Sequence, residues 1–105
     1  MPAAAVPRTG ALDAALAHAR AHRPRFVEEL KTFVRFPTVG TQPTHAADMA
    51  RCARWLAEHL RGLGLRAALV PGPGHPVVRA EWRKAPGRPT VLLYGHYDVQ
   101  PAEPL

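Results

Sequence analysis

Apolar positions along this chain change their period twice. Leu12 and Leu16, with alanines between them, recur at a helical interval and predict a helix over about 10–22. Pro24 interrupts that pattern. A proline is tolerated in a helix's first turn, where its missing N–H has no partner to lose, so Pro24 opens or bends a second helix rather than ending helicity. Over 25–36, Phe26, Val27, Leu30, Phe33 and Val34 fall three and four apart, predicting an amphipathic helix with one buried face. Pro37, Gly40 and Pro43 mark a turn. Beyond it Thr44 is the candidate N-cap of a third helix, with Met49, Cys52, Ala53, Leu56, Leu60 and Leu63 as its apolar stripe. Gly62 and Gly64 supply the C-terminal stop.

From Leu65 the pattern shortens. Residues 65–70 and 76–82 read as strands bounded by Pro/Gly clusters, and 90–94 (Thr-Val-Leu-Leu-Tyr) is a continuous apolar run before Gly95. The short connections make the strands neighbours in an antiparallel arrangement. The unbroken run suits a strand covered on both faces, in the interior of the sheet. The predicted class is α/β: N-terminal helices packed on a mixed sheet of about three strands. No closing element follows the loop after Tyr94, so residues 1–105 read as the N-terminal part of a single truncated catalytic domain. Missing cover on the third strand is expected if the domain stops there.

Composition narrows the function. The net charge of +6 comes from 12 Arg and 2 Lys against 8 acids. The arginines are scattered singly, and only 7% of the chain is aromatic, so the charge does not form the basic-aromatic surface that stacks nucleic acid; none is expected as a partner. One cysteine makes no internal disulfide, which fits a reducing compartment. No window provides the roughly 20 apolar residues of a membrane span, nor the start a secretory leader's apolar core. The expected setting is cytoplasmic, with no membrane contact.

Chemistry concentrates in Tyr94-Gly95-His96-Tyr97-Asp98-Val99-Gln100-Pro101. In extended backbone, residues two apart project to one side, so His96 and Asp98 share a side just beyond the carboxyl end of the predicted inner strand, where open α/β sheets place their crevices. A neutral imidazole is a common zinc ligand, and a carboxylate on its other nitrogen fixes its tautomer and direction. By itself His-x-Asp is a weak signal, equally compatible with a solvated loop.

The eleven-residue run Val-Leu-Leu-Tyr-Gly-His-Tyr-Asp-Val-Gln-Pro, residues 91–101, resembles the signature of the M20 metallopeptidases, and within them the dipeptidase branch. Phe26–Lys31 leading to Phe36-Pro37-Thr38-Val39, then Ala53–Leu60 through Leu63-Gly64-Leu65, are similar to that family's opening. The resemblance implies that His96 ligates one zinc of a two-metal site, other divalent ions serving as alternatives, and that Asp98, the residue carried over to the catalytic site, holds its imidazole. It implies a zinc-dependent hydrolase cleaving amide bonds of dipeptides or small peptides. An N-acyl amino-acid deacylase or desuccinylase of the same family is the alternative substrate class. The bridging carboxylate, the general base and the remaining ligands have no counterpart here, and neither has the inserted lid domain through which the family dimerises. A homodimer is therefore expected only of a full-length form, and the chain is expected to be inactive alone. A non-catalytic product or binding module is the alternative from another class.

Other candidates have plainer readings. His18 and His22, four apart on a helix, lack the glutamate of the zincin motif and read as solvated. His45, His59 and His75 read as structural or solvated. Cys52 lies in its helix's apolar stripe and reads as a small buried hydrophobe.

Overall fold

A computed structural model describes residues 9–103. Residues 1–8 and the final two residues lie outside the described residues. The chain divides into two compact units between Phe33 and Val34.

The first unit holds α1 (Gly10–Ala21) and nearly all of α2 (Arg23–Val34). Thr9 starts α1 from extended backbone, its hydroxyl oxygen accepting the Leu12 N–H at 3.2 Å and so satisfying one of the four donors that a helix start leaves unpaired. The N–H of His22 bonds the His18 carbonyl and the N–H of Phe26 bonds the His22 carbonyl, both at 3.1 Å, so helical bonding carries across Pro24. The rings of His18, His22 and Phe26 form a row, with 4.2 Å between the two imidazoles. The predicted buried face of α2 is not found: none of its residues is buried, and Leu30 is 58% exposed. Amphipathic periodicity states which face seeks cover, not whether cover is present.

The second unit is built on α3 (Ala46–Gly62), β1 (Arg66–Val70) and β2 (Val77–Glu81). Thr44 does not cap α3. Pro43 opens a single 3-10 turn through His45, and the helix begins after it. Asp48 in the first turn takes over the electrostatic role of a cap, held by His45 Nδ1 at 2.8 Å and by Arg51. At the other end Gly64, at φ 92°, closes a double-bonded stop: its N–H reaches the Arg61 carbonyl and that of Leu65 the Leu60 carbonyl.

β1 and β2 pair antiparallel, with Ala67 opposite Ala80 and Leu69 opposite Val78. These alternating half-buried positions are the sheet's inner side. α3 packs on both strands, and Met49, Cys52, Ala53 and Ala57 form the buried core.

The third predicted strand is absent. Residues 90–94 join no sheet, and Val91, Leu92, Leu93 and Tyr94 are 78–89% exposed. Among the described residues the sheet is therefore two-stranded and antiparallel rather than mixed and three-stranded, parallel pairing being confined to one bridge between Val39 and Val99. A strand's ladder bonds come from a neighbour, and an apolar sequence specifies the need for one without supplying it. Among the described residues, no helix is long and apolar enough to cross a membrane.

Candidate metal centre

The segment 96–99 has no secondary structure of its own beyond the Val99 bridge; it is ordered by the turn after α2. Pro37 and Gly40 let the chain fold tightly there: the N–H of Thr38 bonds the Phe36 carbonyl at 2.8 Å and that of Val39 the Pro37 carbonyl at 2.9 Å. Thr38, only 3% exposed, faces the loop. Its hydroxyl donates to the Tyr97 carbonyl at 2.6 Å, and its own carbonyl accepts the Val99 N–H at 2.8 Å. Gly40 lies so close that a Cβ there would stand 3.4 Å from Asp98 Cβ, and the His75 Nε2–H donates to the Gly40 carbonyl at 2.7 Å. The Tyr97 hydroxyl donates to the Pro76 carbonyl at 2.5 Å, tying the loop to the start of β2.

Above this anchored backbone stand the two predicted site residues. His96 Nδ1 lies 3.1 Å from Asp98 Oδ1. With a carboxylate at Nδ1 the neutral ring carries its proton there, which leaves the Nε2 lone pair as the acceptor. Nε2 faces the Tyr94 hydroxyl at 3.1 Å. Both side chains are open to solvent, His96 by 68% and Asp98 by 54%.

Of the two residues, His96 Nε2 is the group that could hold a metal, and Asp98 would orient it. A metal held there would take the place of the Tyr94 hydroxyl at Nε2. Among the described residues, no group of three or more histidine, cysteine or carboxylate side chains converges on a common point. Asp98 is committed to His96, and Glu103 adds no third arm to a shared site.

Burial, assisted by the neighbouring Cys52 and Asp98, pushes the Tyr97 phenol above its ordinary range, and burial likewise pushes up the Cys52 thiol. Cys52 is fully buried on α3, a packing residue. The other histidines are also structural: His45 pairs with Asp48, and Trp55 stacks on His59 at 5.3 Å.

Thr38, Gly40, His75 and the Tyr97 backbone carry this geometry without any local sequence signal. The partners Thr38 and Tyr97 are 59 residues apart, and reading periodicity reaches no further than one element.

The chain is similar to curated dipeptidases. It is 32% identical over 110 residues to Beta-Ala-His dipeptidase of Rattus norvegicus, covering 92% of this chain and 22% of that protein. It is 35% identical over 95 residues to Beta-Ala-His dipeptidase of Homo sapiens, covering 78% and 19%. Against Cys-Gly metallodipeptidase DUG1 of Candida albicans it is 30% identical over 93 residues, covering 76% and 19%. The chain thus spans about a fifth of the length of these relatives. No family model and no solved structure matches it.

Proposed function

Starting from a chain related to the dipeptidases over about a fifth of their length, we propose that it forms part of the catalytic domain of a zinc-dependent hydrolase of the M20 kind, one that cleaves the amide bond of dipeptides or small peptides. The observation that carries this reading is the His96–Asp98 contact: the carboxylate takes Nδ1 and turns Nε2 into a ligand, in the segment whose wording resembles the metallopeptidase signature. The relatives' names support it from the other side, one of them being called a metallodipeptidase.

A divalent cation bound there polarises a carbonyl and acidifies water. His96 supplies one of the roughly three protein ligands that a catalytic zinc takes, and Asp98 keeps its ring from rotating. The remaining ligands and the base come from outside this chain, so residues 1–105 alone are expected to show no turnover.

The test is turnover of cysteinylglycine and β-alanyl-histidine by the zinc-loaded protein, with this chain continued to its relatives' length. Asp98→Ala is expected to lower kcat/KM about 10–100-fold, and His96→Ala to abolish activity. Wild-type turnover by His96→Ala sinks the reading. Preference for N-acyl amino acids over free dipeptides moves the activity to the deacylases, and zinc-independent silence toward both classes favours a non-catalytic role.

A further inference from the structure

We propose that Thr38 is a positioning residue for the metal loop, fixing the backbone of Asp98 and through it the tautomer and direction of His96. The metal side of this inference rests on the function proposed above; the positioning side rests on geometry alone.

The conformation of Asp98 is set by two rotations, one against each flanking peptide plane. The plane before it carries the Tyr97 carbonyl, and the plane after it carries the Val99 N–H. Both are held by Thr38: its hydroxyl takes the first at 2.6 Å and its carbonyl takes the second at 2.8 Å. One residue therefore grips Asp98 on either side of its Cα. Gly40 closes the remaining space, with a Cβ there just reaching contact with Asp98 Cβ.

The gradient of burial gives the grip its purpose. Thr38 is 3% exposed, whereas the His96 and Asp98 side chains it supports are more than half exposed. A hydrogen bond between two solvated side chains holds little by itself. Order in the pair has to be supplied by the backbone beneath, and Thr38 is where that backbone is buried. The carboxylate then selects the imidazole tautomer with the proton on Nδ1, the form whose Nε2 binds metal.

The experiment is nitrogen-15 spectroscopy of His96 in the 105-residue chain at a pH of about 8, above the ordinary histidine range. Amide hydrogen exchange at Val99 is followed in parallel. Thr38→Val deletes the hydroxyl and keeps the shape; Thr38→Ser keeps the hydroxyl. Thr38→Val is expected to move the tautomer ratio about tenfold toward the Nε2–H form and to speed Val99 exchange by a similar factor, the effect of one lost hydrogen bond. Thr38→Ser is expected to stay within about twofold of the parent in both. A folded Thr38→Val chain whose His96 ratio matches the parent overturns the inference, even if Val99 exchange rises, because Thr38 is then only a turn residue. Should Thr38→Val fail to fold, Thr38→Ala deletes the same hydroxyl with less bulk, and an unchanged His96 ratio there overturns the inference equally.

Titration with zinc chloride, with the His96 signals followed in the protein continued to its relatives' length, separates the two readings. If zinc leaves the His96 signals untouched while the tautomer shift is seen, the positioning role stands and the metal role falls. If zinc shifts His96 alike in parent and Thr38→Val with equal tautomer ratios, the metal role stands and the positioning role falls.

Discussion

Tyr97 carries three functions at once: its carbonyl accepts from Thr38, its hydroxyl donates to Pro76, and its ring is partly buried near Cys52. Burial raises the pKa of its phenol and of the Cys52 thiol, so the folded chain holds both protons more tightly than the unfolded chain does. The stability this confers is complete below the ordinary thiol and phenol values of 9.0 and 10.0, and is lost as pH rises through the higher folded values. The urea midpoint is accordingly expected to fall on the alkaline side of 9.0, and Tyr97→Phe with Cys52→Ala to flatten that fall. A parent midpoint that stays level through both values contradicts the assigned burial. At this scale the contact between His96 and Asp98 was legible, because the two residues lie two apart in one short run. Thr38 was not: a threonine in a Pro/Gly turn has the same sequence appearance whether or not its hydroxyl is used 59 residues away.

Among the elements, α3 and its stop were read nearly to the residue, since the apolar stripe and the two glycines are local signals. The two glycines differ in what they do. Gly62 is the last helical residue, while Gly64 takes the left-handed conformation at φ 92°, and neither has an atom within 4 Å of an added Cβ. The cost of Gly64→Ala is therefore conformational: about 1–2 kcal/mol of stability, read from denaturant unfolding, is expected to be lost. Gly62→Ala, in helical backbone, is expected to be neutral or to stabilise by up to about 1 kcal/mol. Equal effects at the two positions contradict the stop as described. The helix's start was misread because Thr44 has cap chemistry, whereas the fixed φ of Pro43 winds a 3-10 turn that takes in Thr44 and leaves His45 at the cap position. The β1–β2 pair was legible from its bounding Pro/Gly clusters and short connection.

For the molecule as a whole, the run of Val91 to Tyr94 is the clearest mark of incompleteness in the packing. Four apolar residues at 78–89% exposure are a sequence written for an interior, in a chain that spans about a fifth of its relatives' length. The same holds at the proposed metal site: one imidazole is turned by one carboxylate, with no third group beside it among the described residues. Anomalous scattering at the zinc edge, from crystals of the zinc-loaded protein continued to its relatives' length, tests that placement directly. A zinc ion about 2.0–2.1 Å from His96 Nε2, with Asp98 on Nδ1 and the Tyr94 hydroxyl displaced, is the expected result. Zinc bound elsewhere, with His96 Nε2 still facing the Tyr94 hydroxyl, contradicts it.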